Sequence, residues 1–518
     1  MKRIICMLLT LCALAGLTAH AEETAPLTGM TAQQIVDEMR IGWNLGNTFD
    51  ATGYTAPDIY SHETSWGNPV VDLALIQRVK DAGFNCIRIP ITWYRHISDD
   101  GTFTIDPAFM ARIREVVDYA YACDLYVIIN MHHEDWLNTK TMDKDYEAIG
   151  VQLAAVWGQI AEAFADYDQH LIFESMNEPR MAGTSVEWNG SRSGFNAVNY
   201  LNQVFVNTIR TDAKGYNGER ALMIPGYAAS SSSAAMAAIE IPTFGDQQAE
   251  NIIISVHCYS PYDFCLSDKQ TTFDPNNKAH TSSIDTVFSN IEKLFLEKGI
   301  PVIMGETGAT NTGNNHDARA AWAYYMGMKS TAYGVPILIW DNGNNQVSGG
   351  ECHVWVRRAI NEKLRSQRTP YPYPEVLEQL FAGAASCERG SGRRSLMPEK
   401  SARNGTILWG NVNGAFLNGA GVSFASKAEW YAASRTIAVI FTGDGTPSLH
   451  LKTNGQDVTV SVEPDRVDNM GTQRVAWFSM GKVMSACEAA GIDAAMISSV
   501  SIVAEGTAVA YELCYIGK

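Results

Sequence analysis

Leu171-Ile172-Phe173-Glu174-Ser175-Met176-Asn177-Glu178-Pro179 reads as a buried strand that ends by presenting an amide and a carboxyl. Pro179 halts it there, because a proline has no N–H to continue a strand ladder. Pro301-Val302-Ile303-Met304-Gly305-Glu306 is again an apolar strand delivering one carboxyl at its tip. Strands apolar on both faces need cover on both sides, which parallel sheets flanked by helices provide. Working outward, short apolar runs alternate with stretches of helical periodicity from about residue 38 to 345, the pattern of successive βα units. The expected strands are Ile41–Trp43, Cys86–Ile89, Tyr126–Met131, Leu171–Ser175, Ala221–Ile224, Ile252–His257, Val302–Gly305 and Ile337–Trp340. Eight is the number at which a (β/α)8 TIM barrel closes. The helices expected between them include Leu73–Ala82, Pro107–Ala122, Ile149–Ala165, Phe195–Arg210 and Ala318–Lys329.

Polar and aromatic residues gather at the strand ends: Arg88, His132, His133, Asn177, Glu178, His257, Tyr259, Glu306 and Trp340. Singly, each reads as a loop-end group satisfying backbone; as a recurring set, they mark the face where barrel enzymes place their chemistry. Glu178 and Glu306 come from different parts of one barrel and can face each other across a cleft. Glycoside cleavage needs such a pair, one carboxyl to protonate the leaving oxygen and the other to attack the anomeric carbon. Arg88 and Tyr259 are placed to keep one glutamate ionised. The amide of Asn177 suits a sugar 2-OH.

Composition narrows the partners. A net charge of -17 excludes a nucleic-acid binder, which needs a cationic face, and is compatible with a neutral polymer. Hydrophobic residues at 46% supply large cores, and 12 Trp supply rings for stacking. No CxxC pair and no HExxH helix is present, so the strongest zinc signatures are missing and neither a metal nor another cofactor is expected.

Ile87-Arg88-Ile89-Pro90, His132-His133, Asn177-Glu178-Pro179, His257 with Tyr259, Gly305-Glu306 and Trp340 together resemble glycoside hydrolase family 5, the cellulase family, over about residues 30 to 380. The resemblance implies Glu178 as acid/base and Glu306 as nucleophile of a retaining reaction, with Arg88, His132, Asn177, His257 and Tyr259 in support. It implies a sugar platform at Trp340 and a substrate contact at His133. Gly42-Trp43-Asn44-Leu45-Gly46-Asn47-Thr48-Phe49-Asp50 and Glu63-Thr64-Ser65-Trp66-Gly67-Asn68-Pro69 are similar to subfamily four, which contains endoglucanases, xyloglucanases and enzymes of broad β-glucan specificity. From these segments Asn47, Asp50 and Trp66 are expected to bind substrate, Asp50 standing where some relatives carry Glu. The activity so implied is an endo-β-1,4-glucanase on cellulose-like or mixed-linkage β-glucan, with xyloglucan or mannan as alternatives. His132 and His133 are neighbours on a strand, so only one should face the pocket unless the strand end twists.

Two rivals remain. One is a metal-dependent barrel hydrolase using His132, His257, Glu306 and Asp341, which lacks paired ligands two residues apart on one strand. The other is a non-catalytic glycan-binding protein, against which stands the presence of both glutamates with the Arg, Asn and Tyr that tune them.

The N-terminus has Lys2 and Arg3, an apolar run Ile4–Leu17 and Ala19-His20-Ala21, the layout of a secretory signal peptide over residues 1–21. The expected location is therefore secreted, periplasmic or at the cell surface, with no membrane span, because the run is shorter than the roughly 20 residues a bilayer needs. Eight cysteines remain after the leader, of which Cys258 and Cys265, bracketing a Pro-containing loop, are the suggested disulfide pair. The catalytic domain is expected over residues 22–384 and a linker over 385–400, around Glu388-Arg389-Gly390-Ser391-Gly392-Arg393-Arg394. Residues 401–518 are expected to form an antiparallel β-sandwich, from runs such as Thr436–Phe441, Asp457–Val462, Arg474–Phe478 and Ser499–Val503. Its Trp409, Trp430, Tyr431 and Trp477 fit a carbohydrate-binding face and a structural core equally. The chain is expected to act as a monomer.

Overall fold

The computed structural model describes residues 26–53, 58–211, 213–267, 269–344 and 352–393 of the first part of the chain. Beyond them it describes 406–416, 422–425, 436–453, 456–470, 473–492, 497–504 and 509–516.

Eight parallel strands close into a barrel: β1 (Ile41–Leu45), β2 (Cys86–Ile89), β3 (Tyr126–Asn130), β4 (Leu171–Glu174), β5 (Leu222–Ser230), β6 (Ile252–His257), β7 (Val302–Thr307) and β8 (Ile337–Asp341). Closure is made by β8 pairing with β1, Ile41 opposite Ile337 and Leu45 opposite Asp341. The strand alternation sorts side chains into two cores. Ile87, Ile89, Val127, Ile129, Leu171, Phe173, Ile254 and Ile339 pack outward against the helices. Cys86, Ile128, Ile172, Met223, Ile253, Ile303 and Leu338 point inward, and the helix Ala32–Glu38 plugs the bottom of the barrel with Ile35, Val36 and Met39. Gly42 belongs to this inner layer because a Cβ there would lie 2.6 Å from the Leu338 side chain.

One pleat higher, the inward positions turn polar: Asn44, Arg88, Asn130, Glu174 and Ser255 are all completely buried. Another step brings the chain to the strand mouths. The barrel interior is thus an apolar floor, a polar middle and a reactive rim, each set by a two-residue step along the strands.

The strands occur where expected with shifted ends. β5 runs on to Ser230, beyond the expected end at Ile224; the ladder shifts register after Pro225 and resumes with Ser230 opposite His257. The helix Met142–Ala163 begins seven residues before the expected Ile149. Its first turns are polar and carry Asp143 and Asp145, which favour a helix N-terminus through the dipole and leave no apolar periodicity to read. Pro107–Ala122 starts as expected, with Pro107 in the first turn and the Asp106 side chain accepting from the Ala108 N–H.

Residues 386–393, the first part of the expected linker, are held to the barrel. Arg389 donates to the carbonyls of Val36 (2.6 Å) and Gly334 (2.9 Å), and Arg393 to that of Leu296 (3.0 Å). These carbonyls lie at helix ends or turns and need donors, so the arginines act as caps. Residues 394–400 lie outside the described residues. The suggested disulfide is corrected: Cys258 and Cys265 are both free thiols and completely buried. Burial raises the pKa of both, so each behaves as a small apolar group.

The C-terminal part folds as two antiparallel sheets. The first has strand order Thr406–Phe416, Val509–Ile516, Thr436–Thr442, Gln473–Ser479, Arg466–Met470, and the second Val422–Ala425, Ile497–Val503, Ser448–Thr453, Gln456–Val462. Ile437, Val439, Phe441 and Phe478 of the first share one core with Leu449, Leu451, Val460 and Ile502 of the second, and Val483 and Cys487 of the helix Met480–Ala489 join it. This is the layered packing of a sandwich. Trp477 is half-buried with the Arg466 guanidinium 5.1 Å from its ring centroid. Trp409 lies on the strand Thr406–Phe416, and Trp430 and Tyr431 fall outside the described residues. Among the described residues no helix is long and apolar enough to cross a membrane.

Candidate active site

The site is organised around Arg88. Its Nε donates to Glu174 Oε2 (2.7 Å), Nη1 to Glu306 Oε1 (2.8 Å) and Asn44 Oδ1 (3.0 Å), and Nη2 to Asn177 Oδ1 (2.8 Å). Burial acts to strip the charge from Arg88, and the carboxylates of Glu174 and Glu306 outweigh it and hold the guanidinium charged. Glu174 in turn accepts from Asn130 Nδ2 (3.0 Å) and Ser255 Oγ (2.6 Å). Arg88 also fixes its partners: with the amide oxygen of Asn177 on the guanidinium, the NH2 of that amide is turned the other way.

Glu306 at the end of β7 is 6% exposed. Oε1 rests on Arg88 and lies 4.0 Å from His132 Nε2; Oε2 accepts from the Tyr259 hydroxyl (3.1 Å) and lies 3.6 Å from His257 Nδ1. Glu178, after β4, is half-buried; its Oε1 is 2.9 Å from His257 Nδ1 and its Oε2 3.5 Å from Arg180 Nη1. One oxygen of Glu178, one oxygen of Glu306 and a ring nitrogen of His257 all lie within 4.8 Å of one another. Burial acts to lower the pKa of His257, but Glu306 and Glu178 outweigh it and raise it. For Glu178 burial acts upward, and the bond to His257 with the charges of His257 and Arg180 turns the balance downward. The two opposite shifts favour a proton on the His257 imidazole beside the Glu178 carboxylate.

His132 and His133 both belong to the site. β3 stops at Asn130, so the alternation that separates strand neighbours no longer governs them, and their rings meet edge to face at 4.3 Å. Asn130 Oδ1 accepts from the Ile91 N–H, so its NH2 faces His132 Nδ1 at 3.2 Å. Nδ1 is then an acceptor, and the proton is on Nε2, toward Glu306. Burial pushes the pKa of His132 well down and that of His133 to about 4, so both are neutral. Trp340 lies parallel to His132, with ring centroids 5.9 Å apart. Its seat is Gly46, where a Cβ would lie 2.7 Å from the indole. Trp66 is 39% exposed and sits 6.1 Å from the His133 ring. Asn47 lies at the rim with φ 53°.

Asp50 lies beside His132 and His133, a carboxylate oxygen within 4.8 Å of a ring nitrogen of each. It is completely buried, and its two oxygens accept from the Asn47 N–H (2.9 Å) and the Thr48 N–H (2.6 Å). Its work is to close the turn that presents Asn47. Burial pushes its pKa up to about 6.

A metal would find few vacant ligands here. Asp50, His132 and His133 form a second close group of donor atoms, but the Asp50 oxygens are occupied by its own turn, and Arg88 already supplies the cation at Glu306. Asp341 is not part of the site: its Oδ2 accepts from Trp43 Nε1 and from the N–H groups of Trp355 and Val356.

Of the polar middle layer only Arg88 was singled out from the sequence; Asn44, Asn130, Glu174 and Ser255 were not assigned a role. Glu174 was legible in principle, as a charged residue inside an apolar strand, and Ser255 likewise within Ile252–His257. Arg180, which touches Glu178, carries no comparable mark in the sequence.

A family model, cellulase (glycosyl hydrolase family 5), matches residues 49–346. The endoglucanase B of Neocallimastix patriciarum is 37% identical over 416 residues, 78% of this chain and 84% of its own length. The chain belongs to glycoside hydrolase family 5. As a member of that family it is a glycoside hydrolase, and its curated relatives are named as endoglucanases. The solved structure of a GH5-4 broad specificity endoglucanase from Ruminococcus flavefaciens superposes with a TM-score of 0.63 at 41% identity, covering 69% of this chain and 99% of that one. A GH5-4 broad specificity endoglucanase from Ruminococcus champanellensis, solved with bound cellotriose, gives a TM-score of 0.62 at 38% identity over 68% and 99% of the two chains. In family 5 terms, the matched region contains both strand-end glutamates, Arg88, His132, His257 and Tyr259.

Proposed function

We propose that this protein is an exported, retaining endo-β-1,4-glucanase that cleaves cellulose-like and mixed-linkage β-glucans, with Glu178 as acid/base and Glu306 as nucleophile. The observation that carries it is the spacing of the two carboxyls, with an oxygen of each within 4.8 Å. Retaining pairs stand about 5 to 5.5 Å apart, whereas inverting pairs leave about 6.5 to 9.5 Å for a water. The relatives support the backbone chemistry of the substrate: they are named as endoglucanases, and the Ruminococcus champanellensis enzyme was solved with bound cellotriose. The leader-like run Ile4–Leu17 with Ala19-His20-Ala21 supports export, and N-terminal sequencing of the secreted protein should begin near Glu22.

In the first step a proton passes from Glu178 to the glycosidic oxygen as Glu306 attacks the anomeric carbon; the C–O bond breaks and a glycosyl ester forms. The Glu178–His257 pair enters with one proton shared over 2.9 Å and leaves with none. Glu178 is then a carboxylate, able to take a proton from the water that hydrolyses the ester and frees Glu306. Arg88 and Tyr259 keep Glu306 oriented, and the amide NH2 of Asn177 meets the sugar 2-OH. Asn47, Trp66, His133 and Trp340 form the walls that receive the chain.

Glu306→Gln should abolish turnover, and Glu178→Ala should be partly rescued by azide on a substrate with an activated leaving group. Proton NMR of the first-formed anomer decides the stereochemistry, and initial release of the α-anomer would falsify the retaining assignment.

A further inference from the structure

Trp188, in the segment between β4 and the helix Arg192–Thr211, is 57% exposed. An indole left in water forgoes the stabilisation its burial would bring, yet this one is held in place. The Arg180 guanidinium lies 4.4 Å from its ring centroid. Glu187 Oε1 accepts from Arg180 Nε at 3.2 Å, and Glu187 Oε2 accepts from the Gly183 N–H at 2.8 Å. Arg180 Nη1 donates to the Glu178 carbonyl at 3.0 Å and reaches the Glu178 carboxylate at 3.5 Å. The guanidinium lies over the indole ring, and more than half of the residue remains exposed.

The two carboxyl oxygens of Glu178 look to different sides. Oε1 meets His257, which also approaches Glu306, whereas Oε2 meets Arg180. The sugar under attack must sit over Glu306. The group that receives the proton of Glu178 must then lie beyond it, on the side of Arg180 and Trp188.

We propose that Trp188 is the stacking platform for the leaving-group β-glucosyl residue, and that Arg180 is the positioning residue that ties this platform to the carboxyl of Glu178. A β-glucosyl ring carries its axial C–H bonds on flat faces, which pack on an indole, and the cation beneath the ring holds the indole in place. Because Arg180 touches both groups, the platform and the acid/base keep a fixed separation. The inference rests on the assignment of Glu178 as acid/base.

The test compares two substrates: cellopentaose, whose leaving group is a sugar, and cellobiosyl fluoride, whose leaving fluoride has no ring to stack. Trp188→Ala should lower the ratio of kcat/KM for cellopentaose over cellobiosyl fluoride about tenfold, and Trp188→Phe should recover most of it. Arg180→Met should lower the same ratio and also move the alkaline limb of the cellopentaose kcat/KM pH profile upward, because Arg180 helps to hold the Glu178 carboxyl down. An unchanged ratio in Trp188→Ala, or equal losses on both substrates, overturns the proposal. If Arg180→Met does not fold, the two Trp188 variants decide alone. Absence of wild-type activity on both substrates would instead remove the underlying assignment.

Discussion

Glu174 touches no sugar in this arrangement, yet its replacement should damage the reaction. The carboxylate accepts from Arg88 at 2.7 Å, Asn130 at 3.0 Å and Ser255 at 2.6 Å, all in a completely buried layer. Glu174→Gln can keep this geometry: the amide oxygen takes Arg88 and Asn130, and the amide NH2 donates to the Ser255 hydroxyl, which accepts as readily as it donates. Only the charge is lost. Hydrogen bonds to charged groups contribute about 1.5 to 3 kcal/mol against about 0.5 to 1.5 for neutral ones, so three weakened bonds should cost about 3 kcal/mol of stability. At about 2 °C per kcal/mol for a large domain, the melting midpoint should fall by about 6 °C. With one counter-charge gone, Arg88 pulls harder on Glu306 Oε1 and makes it a poorer nucleophile. A loss of about 1.4 kcal/mol in the transition state is tenfold in rate. Glu174→Ala breaks the buried pair outright, for about 3 to 5 kcal/mol, and frees the guanidinium to move, so kcat should fall at least tenfold further. Reducing-end assays on soluble β-glucan and thermal melts of the three proteins give both quantities. Wild-type kcat in Glu174→Gln, with only the melting point lowered, would show that the charge of this layer does not reach Glu306.

Two further outcomes concern protons. His257 has its pKa raised above the usual 6.5 by Glu306 and Glu178, so kcat/KM should decline only as the pH rises through that raised value; in His257→Asn the limb should follow Glu178 alone and move to lower pH, and an unmoved limb would refute the shared-proton account. Glu134 is 1% exposed and burial pushes its pKa up to about 8. The folded chain then binds a proton that the unfolded chain releases near 4.5, so this residue's contribution to stability falls as the pH rises from about 4.5 to 8. Glu134→Gln cannot ionise, so the wild-type melting point should drop relative to that of Glu134→Gln across this window in parallel thermal melts, and a difference independent of pH would count against a buried neutral Glu134.

The barrel was legible because its strands are short, apolar and bounded by turns, and because their polar residues cluster at one end. The rim was legible for the same reason: Arg88, His132, His257, Tyr259, Glu178 and Glu306 are exceptions to an apolar pattern, and exceptions stand out. The turn that holds Asp50 was not legible, because a sequence shows that a carboxyl is near the mouth but not which backbone groups it meets; here its oxygens accept from the Asn47 and Thr48 N–H groups, with Asn47 at φ 53°. The start of Met142–Ala163 was hidden for the opposite reason, since an exposed helical turn has no pattern to break. Cys258 and Cys265 show the limit of spacing arguments: six intervening residues say nothing about whether two buried sulfurs bond, and here they remain thiols.

The middle layer explains why the rim residues occur as a set. A buried guanidinium is tolerable only where several acceptors surround it, and Arg88 has four: Glu174, Glu306, Asn44 and Asn177. Two of these, Glu306 and Asn177, stand at the rim; the other two are anchors below. The charge that solvates Arg88 from beneath thereby fixes its upper edge, and that edge fixes the carboxylate and the amide before any substrate arrives. Donors aimed in advance at a reacting group need not reorganise during the reaction. Removal of an anchor should therefore resemble removal of part of the reactive rim, which distinguishes a preorganised site from one in which Glu306 and Asn177 find their positions only when a glucan binds.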